Sequence, residues 1–250
     1  MSETGNMRSD RSNTRKNIRR GSKSSGKPEK RKPEKRSGTS APGARQLWKP
    51  GNMLYPLPAV MVSCAGKAQL QSSGDPSQQD PSKQAGDPVQ RPNILTVAWA
   101  GTICSDPAMV SISIRPERYS YELIRESGAF VINLTTKQLV KAMDFCGVRS
   151  GRDTDKFREI HLTALPGNKV AAPLIAESPV NIECSVQQII ELGSHHMFLA
   201  RVEAVDIDER LMDANGKFHL EKAGLIAYSH GTYYTLGQAL GTFGYSVRKV

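Results

Sequence analysis

The chain has 250 residues, 34 Lys and Arg against 24 Asp and Glu, and a hydrophobic fraction of 38%, enough for one large domain or two small ones. The formal charge of +10 is uneven: residues 1–50 carry 15 basic and 4 acidic side chains, and the other 200 carry 19 and 20. The body is therefore close to neutral, which argues against a nucleic-acid-binding core. No apolar run reaches the roughly 18 residues of a spanning helix, so no such helix is expected.

Residues 1–47 read as a disordered basic tail. Leu, Ile, Val and aromatics are nearly absent from this stretch, and it cannot bury enough surface to offset the entropy of ordering. It lacks the apolar core of a secretory signal. The segment Gly21-Ser-Lys-Ser-Ser-Gly26-Lys27-Pro28 approaches a phosphate loop, but Pro28 stands where the Mg²⁺-binding hydroxyl belongs and no strand precedes it. The folded body is expected over residues 48–250, with a low-complexity insertion at 66–91 rich in Gln, Ser, Asp, Pro and Gly. Loop-closure entropy rises slowly enough with length to tolerate such an insertion.

Within the body, Pro58–Ala65 and Asn93–Ala100 are apolar runs of strand length. Val110, Ile112 and Ile114 alternate with serines as a strand with one polar face. Tyr119–Ser127 reads as a helix with Leu123 and Ile124 inward and Gly128 as its stop. Ala129–Leu134 is β-rich. Thr136 is placed to cap a helix from Lys137 to about Phe145, ended by Gly147. Val180, Ile182, Cys184, Val186 and Ile190 recur with period 2. After a turn at Gly193-Ser194, His195–Asp208 continues the β pattern, and Leu225–Ser229 adds a further strand. A mainly β fold with short helices follows, in an antiparallel barrel rather than a strand–helix alternation.

The cysteines Cys64, Cys104, Cys146 and Cys184 are scattered, without CxxC spacing. They read as free thiols of a reducing compartment, which points to the cytoplasm. No GxGxxG or GxSxG occurs, so a dinucleotide fold and a serine hydrolase lack support. His195 and His196 are adjacent and would point to opposite faces of a strand, so they do not chelate one metal. No metal site is expected. What remains is the segment from Asn93 to Pro107, a strand running into a loop of Gly, Thr and Ser. Gly101 permits close backbone approach, Thr96, Thr102 and Ser105 offer hydroxyls, loop N–H groups can form an anion nest, and Trp99 can pack on a flat ring. An ordinary hairpin loop is the competing reading.

Thr96–Pro107, Val110–Ile114, Arg115-Pro116-Glu117-Arg118-Tyr119-Ser120-Tyr121 and Phe130-Val131-Ile132-Asn133-Leu134 resemble the flavin reductase-like, FMN-binding split-barrel family, in its flavoredoxin-type branch. Further matching blocks are Ser150-Gly151-Arg152-Asp153 with Asp155-Lys156-Phe157, Gly193-Ser194-His195 with Phe198, and Tyr233-Tyr234-Thr235-Leu236-Gly237 through Phe243-Gly244-Tyr245-Ser246-Val247. The pattern covers about residues 52–250 apart from the insertion. Two positions depart from it, Ala108 after Asp106-Pro107 and Ala200 in place of a glycine.

The resemblance implies an FMN-binding split β-barrel of Greek-key type, a homodimer with FMN near the subunit interface. Thr96, Ala98, Trp99, Ala100, Gly101, Thr102, Ile103, Cys104 and Ser105 would contact the isoalloxazine edge and the ribityl phosphate. Ser120 and Tyr121 would help hold phosphate from a helix start. Asn133 and Leu134 would meet the flavin from a neighbouring strand, and Ser150, Gly151 and Lys156 would close over it. His195 would shape the nicotinamide or substrate side as the candidate catalytic residue. The implied activity is an NAD(P)H:flavin oxidoreductase passing electrons from NADH or NADPH through FMN to free flavin or a small-molecule acceptor. A flavoredoxin-like carrier serving a redox partner protein is the alternative. A nucleic-acid-associated role through residues 1–46 is the remaining one, and it lacks aromatics for base stacking.

Overall fold

The computed structural model describes residues 43–66 and 91–248. The chain divides into a unit ending at Gly51 and a unit Asn52–Val250. Most of the basic tail and of the 66–91 insertion lies outside the described residues, as do the expectations attached to them. Among the described residues no helix is long and apolar enough to cross a membrane.

Among the described residues the second unit has twelve strands: β1 (Leu57–Pro58), β2 (Val60–Cys64), β3 (Asn93–Val97), β4 (Ala100–Ser105), β5 (Ala108–Ile114), β6 (Ala129–Leu134), β7 (Ala164–Leu165), β8 (Leu174–Ile175), β9 (Val180–Leu192), β10 (His195–Ile207), β11 (Ile226–Ser229) and β12 (Thr232–Thr235). Its α-helices are α1 (Tyr119–Ser127), α2 (Val140–Val148) and α3 (Lys156–Glu159). Seven strands form one antiparallel sheet in the order β3-β2-β6-β9-β10-β5-β4. A small sheet β1-β11-β12 and the pair β7-β8 complete the set.

That order forces the sheet to roll. Laid flat, its edge strands β3 and β4 would stand about 29 Å apart at roughly 4.8 Å per strand. Yet β3 and β4 are consecutive in the chain, joined only by Ala98 and Trp99, which reach about 10 Å at most. The two edges therefore meet at the Ala98-Trp99 corner, where the Ser113 N–H donates to the Trp99 carbonyl at 2.9 Å and extends the β4–β5 ladder by one rung. This is the split β-barrel expected from the residue pattern.

Side chains from alternate positions fill the barrel. Val60, Val62 and Cys64 of β2 point into a core with Ile112, Ile114, Phe130, Ile132, Cys184 and Phe198. Met61 of the same strand points the other way, onto Leu139, Met143 and Cys146 under α2. Because β2 is covered on both faces it reads as a continuous apolar run. Each such side chain contributes about 1.5–3 kcal/mol of burial. Helix α1 seals one barrel end with Tyr121, Leu123 and Ile124. It stops at Gly128, whose φ of 71° is left-handed and whose N–H donates to the Ile124 carbonyl.

Two local expectations change. Helix α2 starts at Val140 after a turn, not at Lys137, and runs through Gly147 to Val148. Gly147 is no stop: a Cβ there would stand 3.2 Å from the Thr96 Cβ, so glycine lets α2 lie close on β3. The Gly101–Ser105 stretch is an edge strand paired with β5, not a loop. Thr102, Ile103 and Cys104 suit a pleated surface better than their Gly and Ser neighbours suggest. The four cysteines are free thiols, and all but Cys104 are buried.

Candidate functional site

A cleft follows the barrel seam. Its inner part, about 370 Å³, is lined by Asn93, Thr96, Arg118, Tyr119, Ser120, Gly147, Arg149, Ser150, Gly151, Arg152 and Lys156 among others. Its middle part, about 210 Å³, is walled by Thr96, Val97, Ala98, Trp99, Ile114, Tyr228 and Tyr233. Leu95, Thr96, Arg118 and Gly147 line both, which makes them one cleft.

The inner part is cationic. Arg118, Arg149, Arg152 and Lys156 line it against a single carboxylate, Glu117. Arg118 is the N-cap of α1 and makes no side-chain capping bond, so the first N–H groups of the helix are left for an anion. The loop after α2 closes the other wall. The Arg152 N–H donates to Ser150 Oγ at 3.2 Å, Arg152 Nη1 donates to the Glu117 carbonyl at 3.2 Å, and its guanidinium lies 5.7 Å from the centre of the Tyr119 ring. Gly151 is held by contact: a Cβ would fall 2.2 Å from Asn93 Oδ1 and 2.7 Å from Tyr119 Cδ1. Asn93 Nδ2 in turn donates to Ser120 Oγ at 2.7 Å.

Lys156 forms the back wall. Its ammonium donates to the carbonyls of Ile94 at 2.6 Å and Cys146 at 2.8 Å, leaving one N–H. Burial pushes its pKa down. Burial also raises the Cys146 thiol to about 11 and the Cys64 thiol to about 12, so neither is a nucleophile.

The middle part is mostly uncharged and aromatic. The Trp99 ring lies 5.1 Å from the His195 ring, tilted by 48°. Tyr233, 5.8 Å from Tyr228, donates its hydroxyl to Asp144 Oδ1 at 2.8 Å. His195 Nδ1 meets Ser194 Oγ at 2.9 Å. Burial, then Arg115, lower the His195 pKa, Glu117 pulls the other way, and Arg118 lowers it further. The shift favours the neutral imidazole. His196 faces the other side, where its Nδ1 pairs with the Tyr121 hydroxyl at 2.8 Å.

Of the residues singled out in the sequence, Thr96, Ala98, Trp99, Ser120, Ser150, Gly151, Lys156 and His195 line this cleft. Others do not. Ala100, Gly101, Thr102, Ile103, Cys104 and Ser105 belong to β4 and line neither part of it. The Tyr121 ring is core, edge-on to Phe198 at 5.4 Å. Asn133 is fully buried with its amide in use: Nδ2 donates to the Met61 and Val131 carbonyls and Ser63 Oγ, and Oδ1 accepts from the Ile175 N–H. It ties β6 to β2 and β8, and its side chain lies in the core and not in the cleft. Leu134 packs on the barrel core. The sequence reasoning missed Asn93, Arg118, Arg149, Arg152, Tyr228 and Tyr233. Asn93, which opens the segment singled out, and Arg118, Arg152 and Tyr233, which stand in matched blocks, carried a signal, and Arg149 and Tyr228 carried none.

The rolled sheet defines a split-barrel protein, with a cleft cationic at one end and walled by aromatic rings at the other. The chain belongs to the flavin reductase like domain family, which it matches over residues 83–237. It is 28% identical to flavoredoxin of Desulfovibrio vulgaris (Miyazaki F), with a TM-score of 0.66, covering 84% of this chain and 100% of that one. An uncharacterized protein of Archaeoglobus fulgidus is 30% identical over 147 residues, 59% of this chain and 82% of the relative. From the same organism, a ferric-chelate reductase (NAD(P)H) is 27% identical over 137 residues, covering 53% and 78% respectively.

Proposed function

We propose that the chain binds FMN in the seam cleft and moves electrons through it between NADH or NADPH and an acceptor. The observation that carries this is the polarity of the cleft: a cationic inner end opening into a slot lined mostly by uncharged and aromatic side chains, with Arg115 and Arg118 at its rim. The volumes suit a cofactor, since ligand pockets span about 300–1,000 Å³. Arg118, Arg149, Arg152, Ser120 and Ser150 would hold the phosphate. Thr96, Ala98, Trp99, Tyr228 and Tyr233 would flank the ring and keep water from it. FMN supplies two-electron and one-electron redox chemistry when bound. The protein's part is placement and charge. Neutral His195 at the outer end presents an uncharged hydrogen-bonding face, so it can orient a donor without repelling a cationic nicotinamide.

Titration of the purified protein with FMN and with riboflavin tests the reading. FMN binds one per chain, and riboflavin, lacking the phosphate, binds at least about tenfold more weakly. No affinity for FMN refutes it. The likeness to flavoredoxin favours a second reading, an electron carrier slow with nicotinamides and served by a protein partner. Steady-state NAD(P)H oxidation with added free flavin separates the two. A homodimer is also proposed. Leu240, Phe243 and Val247 of the C-terminal segment are more than four-fifths exposed, a burden a second copy would relieve, and sedimentation checks it.

A further inference from the structure

Beyond the middle slot the cleft opens into a mouth of about 440 Å³ that includes Ser113, Arg115, Ser194 and His195. Trp99, Ser113, Arg115 and His195 line both mouth and slot. We infer that Arg115 is the anion-recognition residue of this mouth, selecting a small redox substrate that carries a phosphate or carboxylate beside a flat ring. The inference rests on the proposed FMN site and names the class of molecule that would approach it.

Four observations carry it. Arg115 does not line the inner cavity, so the ligand phosphate proposed there does not use it. Its side chain is 49% exposed, and its contact with a carboxylate is a single long one, Nη1 to Glu117 Oε1 at 3.4 Å. Most of its five N–H donors therefore remain available for a bidentate anion. Among the described residues no Asp or Glu lines the mouth, and the nearest carboxylate named, Glu117, is held by Arg115 itself, while Ser113 and Ser194 add hydroxyls. The ring of such a substrate has a wall to lie on: Trp99 and His195 present tilted rings 5.1 Å apart. The strand register places the wall and the cation together, because His196 pairs with Ile114 and their neighbours His195 and Arg115 follow at the end of the β5–β10 ladder.

The phosphate of a nicotinamide dinucleotide and the carboxylate of an aromatic acceptor share this chemistry, and the test distinguishes them. FMN-loaded wild type, Arg115→Ala and Arg115→Lys are titrated by calorimetry with the non-reducing tetrahydro analogue of NADPH, with benzoate and with benzamide. In wild type at least one anion binds, and benzoate outcompetes its neutral isostere if the carboxylate is the recognised group. Arg115→Ala weakens the recognised anion about tenfold or more and leaves benzamide unchanged, while Arg115→Lys falls between, keeping charge without the fork. Glu117→Gln, which frees the guanidinium, tightens the same anion. Loss with the dinucleotide analogue alone, with benzoate alone or with both identifies the source and supports the inference. Wild type binding neither anion, or Arg115→Ala binding both as well as wild type, overturns it. If FMN itself fails to load, the reading of the inner cleft falls and this inference with it. Normal FMN loading with no anion effect overturns the inference alone.

Discussion

Replacing Gly151 by Ala tests whether the loop after α2 is a wall of the site. The added Cβ would stand 2.2 Å from Asn93 Oδ1 and 2.7 Å from Tyr119 Cδ1, so something must move by about 1 Å. Asn93 resists, being buried in β3 with its amide bonded to Ser120 Oγ. Tyr119 resists as the first residue of α1, under the Arg152 guanidinium. Overpacking of this kind costs about 1–3 kcal/mol, which lowers Tm by roughly 2–12 °C in a domain of this size. The displaced loop also carries Arg149, Ser150 and Arg152 away from the inner cavity, so FMN affinity falls at least about tenfold and riboflavin affinity falls less. Differential scanning calorimetry and flavin-fluorescence titration read both effects. Gly101→Ala is the control: nothing lies within 4 Å of its Cβ position, and a strand interior gains about 0.5–1 kcal/mol from the change. Unchanged Tm and unchanged FMN affinity in Gly151→Ala would refute the loop's role. A collapse of FMN affinity in Gly101→Ala would return the site to β4.

Three further outcomes are expected. Glu183 accepts the N–H groups of Asn168, Lys169 and Val170 at 2.7–2.9 Å. Asp206 has a buried Oδ2 with no partner among the described residues. Burial, and the Glu183 carboxylate beside it, raise the Asp206 pKa above its ordinary 3.8, so its stabilising protonated form is lost as pH rises through the folded value. Asp206→Asn supplies a permanent donor and raises stability near neutrality by about 1 kcal/mol, a gain that shrinks toward pH 3 in chemical-denaturation curves. Native-state alkylation with iodoacetamide labels Cys104 alone, because Cys64, Cys146 and Cys184 are buried with thiol pKa values of about 12, 11 and 12; mass spectrometry showing a second adduct contradicts this. Tyr233→Phe removes the bond to Asp144 and lowers stability by about 1 kcal/mol, with a measurable loss of ring affinity for riboflavin.

Local patterns were legible where a single face decides. Strand β5 and helix α1 follow from the alternation of Val110, Ile112 and Ile114 with serines, from Leu123 and Ile124, and from the left-handed Gly128. The barrel itself was readable from strand periodicity and the matched blocks. What misled was composition read without pairing. Thr, Gly and Ser in 101–105 look like a loop, yet the partner strand β5 makes them an edge strand. Gly147 looks like a helix end, yet the approach of α2 to Thr96 is what requires it. Asn133 looks like a ligand contact, yet its amide is spent on three segments of the core. Of the inner cations only Lys156 was named from the sequence. Arg118 comes from one segment and Arg149 and Arg152 from another, and only the packing of the helices around β3 brings them to one cavity.

Lys156 has one more consequence. It fastens β3 to α2 through two carbonyls at the floor of a cavity whose cations outnumber its carboxylates four to one. An empty cavity leaves that imbalance facing itself, so the same bonds that hold the architecture also demand a counter-ion. If the proposed phosphate binds there, occupancy and folding are linked, and the protein without it is the less stable form.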